Sequence, residues 1–335
     1  MDRQSLIFTA PRAIQLQESP ISNLLPHHVL VQTIRSAISA GTELLIYRGE
    51  APSELNADES ISSLSGSLNF PLKYGYCAVG KIIECGREID PSWKDRIVFS
   101  FNPHETHFVV SINDLIPLPP NLDPDDAVFL PNMETAVNFL HDGAPLLGER
   151  VIVLGQGIVG LLTTSLLSRC PLESLITLDR YPLRRELSLK CGATLCLDPD
   201  ESDSTKHGDA DLVYELSGSP QALNHAIELT GFNGRIVIGS WYGNKTAPLN
   251  LGGRFHRSRI KLISSQVSTL SPQLTSRWTK ARRFETALNL LKQIKPSRFI
   301  THRFKLSDAA KAYQLLDQRP EEAMQVIFDY EIRNT

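Results

Sequence analysis

The stretch Val151–Gly160 reads VIVLGQGIVG, in which a run of apolar, mostly β-branched residues leads into a glycine-rich turn. The apolar run predicts a buried β-strand, and the apolar residues that follow predict a helix beginning near Ile158. The glycines keep the spacing G-x-G-x-x-G. The first lets the strand end in a tight turn, the second lets a ligand approach the backbone, and the third lets the helix pack closely on the sheet.

An acidic residue follows at the distance that this motif requires. The segment 174–179 (SLITLD) predicts a second strand that ends in Asp179, 19 residues after Gly160. A glycine motif alone is weak evidence, because it also occurs in turns between buried elements. A strand before it, a helix after it and an acid about 20 residues on together indicate a dinucleotide-binding βαβ unit. The free N–H groups and positive dipole end of the helix would face the pyrophosphate.

The residues after the second strand bear on which dinucleotide binds. A carboxylate at Asp179 accepts a hydrogen bond from a ribose 2′-hydroxyl and repels a 2′-phosphate, so we predict NAD. NADP is the alternative, because Arg180, Arg184 and Arg185 follow closely and an arginine here can hold a 2′-phosphate. The predicted cofactor-binding residues are Gly155, Gln156, Gly157, Ile158, Val159, Gly160, Asp179, Arg180, Ser217, Gly239 and Ser240.

Composition and charge exclude several classes of protein. A chain of 335 residues predicts about two domains, and a net charge of −3 provides no basic field for nucleic acid. The five cysteines form no C-x-x-C pair, which is typical of reduced thiols and predicts a cytoplasmic protein. The apolar run near the N-terminus is too short for a signal peptide, and glycines and polar residues interrupt the run that starts at Val151. We therefore expect no membrane segment.

The pattern of the chain changes at a proline-rich stretch. Residues 1 to about 120 predict short strands, whereas the segment 116–124 (IPLPPNLDP) contains four prolines and predicts a linker. From there, strands and helices alternate as far as a strand at 261–265. Such alternation predicts an α/β fold with a parallel, doubly wound sheet and right-handed crossovers.

The change in pattern divides the chain into two domains, one of them discontinuous. In the tail we expect a helix over 284–293, a helix over 308–316 with Ser307 as its N-cap, and a last strand. The simplest architecture folds this tail back onto the N-terminal part. The predicted domains are a dinucleotide-binding domain, 123–267, and a split catalytic domain, 1–122 with 268–335.

Three further stretches follow one another in a characteristic order. They are SAGTE at 39–43, YGYCAVG at 74–80 and PNMETA at 131–136. With the glycine motif, they make nearly the whole chain resemble the medium-chain dehydrogenase/reductase superfamily. The resemblance implies a Rossmann domain inserted into a β-rich, GroES-like catalytic domain, an NAD(P)-dependent oxidoreductase acting on a small molecule, and a homodimer.

The chain departs from the zinc-containing members of that superfamily at the metal ligands. Ala40 replaces the cysteine of their C-G-T-D motif, while Tyr76 and Cys77 replace the histidine and glutamate of G-H-E. Neither alanine nor tyrosine is a usual zinc ligand, and the four-cysteine structural zinc segment is missing. The chain thus resembles the zinc-free branch, for which we expect no zinc. Within it, S-x-G-T-E and G-Y-x-x-V-G are most similar to the bacteriochlorophyllide a dehydrogenases, which oxidise a hydroxyethyl side chain to acetyl.

Without a metal, side chains must polarise a carbonyl or take the proton of an alcohol. Thr42 matches the family's hydroxyl that hydrogen-bonds the substrate oxygen. Tyr76, at the position of a zinc ligand, has a phenol that can donate to a developing oxyanion, and Glu43 would orient either group. Each residue has a plainer alternative: Thr42 as a turn cap, Tyr76 as a space-filling ring, and Glu43 as the partner of an arginine.

Two other patterns concern metals. His104 and His107 are three residues apart in a strand-like segment, which places them on opposite faces and argues against a metal pair. A site built from Cys77, a histidine and Glu134 stays an alternative.

The sequence thus predicts a zinc-independent, NAD(P)-dependent oxidoreductase that transfers hydride between nicotinamide and a secondary alcohol or ketone of a bulky substrate. Trp241 and Tyr242 follow the strand predicted at 234–239 and suit a ring-bearing substrate. The basic segment 251–261 is either an anion site or a solvated surface. An NAD(P)H-dependent enone or quinone reductase and a non-catalytic dinucleotide-binding protein are the alternative functions.

Overall fold

The computed structural model describes residues 2–56, 61–64, 66–200 and 204–331. The chain forms two compact units, Met1–Leu130 with Lys295–Thr335 and Pro131–Ile294. It therefore leaves the first unit, forms the whole of the second, and then returns to the first.

The helices and strands are numbered here in chain order. The strands are β1 (Asp2–Ala10), β2 (Ala13–Pro20), β3 (His28–Ala37), β4 (Ala78–Cys85), β5 (Ile97–Ser100), β6 (His107–Ser111), β7 (Leu115–Pro117), β8 (Arg150–Leu154), β9 (Ser174–Leu178), β10 (Leu195–Leu197), β11 (Ala210–Glu215), β12 (Thr230–Ile238), β13 (Lys261–Ser264), β14 (Ile300–Lys305) and β15 (Gln325–Asp329). The α-helices are α1 (Ala40–Arg48), α2 (Pro124–Ala127), α3 (Leu130–Gly143), α4 (Ile158–Leu167), α5 (Pro182–Lys190), α6 (Ala222–Leu229), α7 (Lys280–Ile294) and α8 (Ala309–Gln318).

The second unit contains a six-stranded parallel sheet in the order β10-β9-β8-β11-β12-β13. The chain starts at β8, moves outward through β9 to β10, and then returns to place β11 on the other side of β8. The strand order therefore reverses between β8 and β11. In open parallel sheets, ligands bind at the carboxyl ends of the strands at such a reversal.

Both faces of this sheet are buried. Val151 and Val153 of β8 belong to an apolar cluster with Phe139 of α3, whereas Ile152 belongs to a second cluster with Ile227 of α6. Neighbouring residues of one strand thus pack in separate clusters, because side chains alternate across a strand. These features confirm the predicted parallel, doubly wound α/β sheet.

The first unit is rich in antiparallel strands. Its seven-stranded sheet has the order β14-β15-β3-β4-β5-β7, with β6 also paired to β3, and β1 and β2 form a separate hairpin. The returning tail provides β14 and β15, and helix α8 places Tyr313 in an apolar cluster with Phe8. The β-rich character predicted for this part of the chain is confirmed.

Some local predictions were wrong or incomplete. Helix α1 and the β1–β2 hairpin were not predicted. Ser307 is not the N-cap of α8: it lies in a 3₁₀ turn, Leu306–Asp308, and Asp308 is the residue before the helix. Among the described residues, none of the helices combines the length and the hydropathy that a membrane crossing requires.

Candidate functional site

Three of the glycines predicted to bind a cofactor are required by the packing of the chain itself. Gly155 has φ +90°, and a Cβ there would lie 2.5 Å from the Cα of Ser217. A Cβ on Gly160 would lie 2.1 Å from the carbonyl oxygen of Gly155. A Cβ on Gly239 would lie 2.2 Å from the ring of Phe139. Contacts this short exclude any larger residue without a shift of the backbone or ring.

Gly157 has no such internal reason to be glycine. Its φ is −66°, and a Cβ built on it would meet no described atom within 4 Å. It precedes α4, whose N-terminus has no side-chain cap, so the N–H groups of the first turn, including those of Ile158 and Val159, receive no hydrogen bond from the side chain at the helix start. The free volume and the uncapped helix dipole fit the pyrophosphate of a dinucleotide.

Asp179 lies at the carboxyl end of β9 and is mostly buried. Its Oδ2 accepts the backbone N–H of Gln156 at 2.7 Å, and its Oδ1 accepts that of Tyr181 at 2.9 Å. The carboxylate is therefore fixed beside the glycine motif, where a ribose hydroxyl could donate to it. The side chain of Gln156 is fully buried and accepts from Thr164 at 3.0 Å, so it stabilises the turn from within.

The arginines after Asp179 differ in how they are held. Arg185 forms a 2.7 Å ion pair with Asp198, and this contact stabilises the fold. The guanidinium of Arg184 lies 4.7 Å from the centre of the Tyr181 ring. Arg180 is exposed. Arg180 lies 3.7 Å from Asp200 and Arg184 lies 4.0 Å from Asp179, both longer separations than that of the Arg185 pair. Arg180 and Arg184 are thus the less tightly held cations that a 2′-phosphate could recruit.

The loops after β11 and β12 are tied together by a carboxylate that the sequence analysis missed. Glu215, the last residue of β11, is fully buried and accepts from the N–H and hydroxyl of Ser217 and from the Tyr242 hydroxyl. Ser240 Oγ accepts the N–H of Gly218 at 2.9 Å. Tyr242 is therefore anchored by its hydroxyl. An acid at the end of a predicted strand was the signal that could have identified Glu215.

The first unit brings three hydroxyls together at the start of α1. Ser39 precedes the helix, Thr42 lies in its first turn, and Tyr76 precedes β4; all three are partly exposed. Tyr76 Oη forms a short hydrogen bond with Ser39 Oγ and lies 3.4 Å from Thr42 Oγ1. The two predicted catalytic hydroxyls, Thr42 and Tyr76, are therefore neighbours, and Ser39 joins them.

Glu43 lies behind these hydroxyls and is fully buried. Its Oε1 accepts the backbone N–H of Ser39 at 2.7 Å. Its Oε2 is 3.0 Å from Nε2 of His104 and accepts a short hydrogen bond from Tyr313. Glu43 thus contacts a histidine and a tyrosine rather than the arginine considered as its alternative partner. These three partners satisfy the hydrogen-bonding capacity of the carboxylate, because a buried charge is costly without such partners.

The hydrogen bonds continue from His104 toward the end of the chain. Nδ1 of His104 is 2.7 Å from Ser36 Oγ, which is 2.9 Å from the hydroxyl of Tyr330. If the proton of His104 is assigned to Nε2, Tyr330 donates to Ser36, Ser36 donates to His104, and His104 donates to Glu43. Every hydroxyl and ring nitrogen in this series of hydrogen bonds then has a partner.

The pKa of Tyr76 is raised from 10.0 to about 12, chiefly because burial disfavours the phenolate. The charge of Glu43 acts in the same direction, whereas the hydrogen bonds that Tyr76 makes with Ser39 and Thr42 lower its pKa. Tyr76 is therefore a neutral phenol at ordinary pH and is available as a hydrogen-bond donor.

Local sequence patterns could not identify His104 or Tyr313 as members of this cluster. The sequence pattern around His104 concerned only metal binding, and no local pattern indicates a role for Tyr313. His107, the other histidine of that pattern, is half-buried and hydrogen-bonds Thr106.

Residues 159–292 match the family described as Zinc-binding dehydrogenase. D-guloside 3-dehydrogenase of Escherichia coli (strain K12) is 25% identical to this chain over 346 aligned positions, covering 96% of this chain and 99% of that protein. The 2-desacetyl-2-hydroxyethyl bacteriochlorophyllide A dehydrogenase of Rhodobacter capsulatus is 22% identical, covering 98% and 99%. The crystal structure of a short chain alcohol dehydrogenase from E. coli CFT073, complexed with NADH, has a TM-score of 0.79 at 18% identity, covering 98% and 99%; this likeness shows the fold.

The glycine motif on a doubly wound sheet and the split β-rich unit define a dinucleotide-binding fold of the Rossmann type. More specifically, the family match and these relatives support the medium-chain dehydrogenase/reductase superfamily. As an enzyme it is an NAD(P)-dependent oxidoreductase of that superfamily.

The family description names zinc, which needs thiolate, imidazole or carboxylate ligands in a tetrahedral set. Ala40 has no donor atom. The thiol of Cys77 is buried, which raises its pKa, and it donates to the carbonyl oxygen of Val128. Glu134, the third member of the alternative metal site, pairs with the buried Arg283 at 2.8 Å. Within the described residues, no three His, Cys, Asp or Glu side chains are grouped as a metal site. These residues do not fit zinc.

Proposed function

We propose that this enzyme is a zinc-independent dehydrogenase that interconverts a secondary alcohol and a ketone on a bulky, ring-bearing molecule. The observation that supports the proposal most is the cluster of Ser39, Thr42 and Tyr76 hydroxyls, in which Tyr76 occupies a position that the resemblance assigns to a zinc ligand. A neutral phenol can do part of a metal's work, because it donates to the oxygen that becomes negative as a carbonyl accepts hydride.

For the cofactor, we propose NAD held by the second unit. The free space at Gly157 and the uncapped start of α4 suit a pyrophosphate, and the fixed carboxylate of Asp179 suits a ribose diol. NADP is the alternative, through Arg180 and Arg184. In this proposal, 123–267 bind the dinucleotide and 1–122 with 268–335 bind the substrate. A bound nicotinamide would supply or accept the hydride.

The proposed roles in the first unit follow from the hydrogen bonds. Tyr76 Oη gives a proton to the substrate oxygen during reduction and receives it during oxidation. Thr42 Oγ1 positions that oxygen. Glu43 acts as a positioning residue, because it fixes the backbone at Ser39 without offering a free oxygen to the substrate.

The names of the two relatives support the ring-bearing substrate. One is named for a guloside and the other for a hydroxyethyl group on a bacteriochlorophyllide. In both names, the group that is oxidised belongs to a molecule built on rings. We further propose a homodimer in the cytoplasm; the compartment is supported by the five cysteines, all of which are free thiols.

The proposal is tested by titrating the purified full chain with NADH and with NADPH and following nicotinamide fluorescence. We expect saturable binding, tighter for NADH. Turnover is then compared between 1-phenylethanol or acetophenone and a methyl glycoside on one side, and cyclohexenone or benzoquinone on the other. Failure to bind either dinucleotide would refute the proposal. Activity confined to cyclohexenone or benzoquinone would favour the enone or quinone reductase, and binding without turnover would favour a non-catalytic protein.

A further inference from the structure

The hydroxyl of Ser39 does not cap helix α1, although its position before the helix suggests that role. Ser39 is the residue before α1, where a serine side chain normally accepts a hydrogen bond from an N–H of the first turn. The structure shows no such bond from Ser39, whose Oγ instead bonds the phenol oxygen of Tyr76. The side chain therefore bonds the group proposed to transfer the proton instead of the backbone of the helix.

The backbone at Ser39 is fixed from the opposite side. Its N–H donates to Glu43 Oε1 at 2.7 Å, and its carbonyl oxygen accepts the N–H of Glu43 at 2.8 Å. Glu43 is in turn held by His104 and Tyr313 in the buried network. The position of the Ser39 hydroxyl is thus determined by a fully buried cluster rather than by a mobile surface side chain.

The direction of the hydrogen bonds follows from the single proton of the phenol. Either hydroxyl can donate in the short bond between Ser39 and Tyr76. When the phenol proton is directed toward Thr42 Oγ1 at 3.4 Å, or toward a substrate oxygen in its place, Ser39 is the donor. A separation of 3.4 Å is long for a bond between hydroxyls, which prefer about 2.7–2.8 Å. A substrate oxygen could therefore replace Thr42 as the acceptor while the bond from Ser39 stays in place.

We propose that Ser39 is a positioning residue that holds the phenol of Tyr76 and stabilises it as it gives up its proton. This inference rests on the proposed function. During reduction, the carbonyl carbon gains hydride from reduced nicotinamide and its oxygen takes the proton of Tyr76. The O–H bond of the phenol breaks and that of the alcohol forms. The charge left on Oη is then held by the hydrogen bond from Ser39 until a proton from water restores the phenol. In oxidation the phenol first gives that proton to water, and Oη then takes the proton of the alcohol as hydride leaves for the oxidised nicotinamide.

The experiment compares Ser39→Ala, Ser39→Thr and Tyr76→Phe in the full chain, each alone, together with the Ser39→Ala/Tyr76→Phe double variant. Tyrosines labelled with ¹³C at Cζ report the hydrogen bonding of each phenol, and the signal missing from Tyr76→Phe identifies Tyr76. We expect Ser39→Ala to shift that signal and Ser39→Thr, which keeps the hydroxyl, to restore it. The unfolding temperature of Ser39→Ala should equal that of the wild type, because the side chain caps no helix.

Kinetics with NADH and acetophenone form the second part of the test. Ser39→Ala should lower kcat about ten- to a hundredfold with KM unchanged, as expected for a bond to a charge that develops only in the transition state. In the Tyr76→Phe background the same change should have no effect. An unshifted Tyr76 signal, or an equal loss of rate in both backgrounds, would overturn the proposal. If NADH and NADPH fail to bind while the signal shifts, the proposed function fails but the contact stands.

Discussion

Tyr76 provides the most direct prediction of pH dependence. Burial, aided by the charge of Glu43, raises its pKa from 10.0 to about 12, so the phenol stays protonated where a free tyrosine would ionise. We expect kcat for ketone reduction to stay level as pH rises through 10, and Tyr76→Phe to lower it about a hundredfold or more. The measurement is kcat against pH for both proteins. A wild-type rate that falls with a midpoint near 10 would contradict this assignment.

Gly157 and Gly160 form a matched pair with opposite expectations. Alanine at Gly157 meets no described atom within 4 Å, so we expect Gly157→Ala to keep the wild-type stability and to weaken NADH binding about tenfold or more. Alanine at Gly160 would place a Cβ 2.1 Å from a backbone oxygen. Gly160→Ala should therefore lower the free energy of unfolding by about 1–3 kcal/mol.

Urea unfolding and NADH fluorescence titration of the two variants distinguish these effects. Unchanged NADH affinity in Gly157→Ala would mean that the open space is not a pyrophosphate site.

At the residue scale, the sequence predicted what local motifs contain. The glycines and Asp179 were predicted from the spacing of a single motif, whereas Thr42 and Tyr76 were predicted from the resemblance to a known family. His104 and Tyr313 were not, because they are 61 and 270 positions from the carboxylate that they contact. Only the folded chain brings such residues together.

Helices α3 and α7 are joined by a buried ion pair. Arg283 is fully buried and donates to Glu134 through Nε at 3.0 Å and Nη2 at 2.8 Å, and it also bonds Asn138 at 2.6 Å. Removing one partner leaves a buried carboxylate without its charge partner. We expect Arg283→Ala to lower the free energy of unfolding by about 3–5 kcal/mol.

The neighbouring Arg282 offers the control. Its guanidinium lies over the exposed side of α7, 4.2 Å from the ring centre of Trp278, and we expect Arg282→Ala to cost about 1 kcal/mol or less. Chemical unfolding of both variants decides the matter. An equal loss of unfolding free energy in the two variants would show that the buried Arg283 ion pair contributes no more to stability than an exposed arginine does.

There are physical reasons why helix α1 and the β1–β2 hairpin were not predicted from the sequence. Helix α1 contains five consecutive buried residues, 43–47, so its sequence lacks the spacing of three and four that indicates a helix with one apolar face. The turn between β1 and β2 has Arg12 at φ +58° in place of a glycine or asparagine, and the usual hairpin signal is absent. The strands and helices of the parallel sheet were predicted because each follows the alternation of apolar runs and turn residues.

At the scale of the whole molecule, the proposed homodimer is the remaining structural prediction. Strand β13 is the last strand of the six-stranded sheet and pairs with β12 alone among the described strands. An edge of this kind can pair with a second copy. Size-exclusion chromatography with light scattering should give about twice the mass of one chain. A monomer at all accessible concentrations would contradict the prediction.

The central claim is that hydroxyl side chains do the work that a metal does in zinc-containing relatives. It is tested most directly by measuring the metal content of the purified enzyme together with its NADH-dependent ketone reduction before and after treatment with a strong chelator. We expect far less than one zinc ion per chain and a rate of ketone reduction that the chelator does not change. Stoichiometric zinc, with activity that is lost on chelation and restored by added zinc, would contradict it.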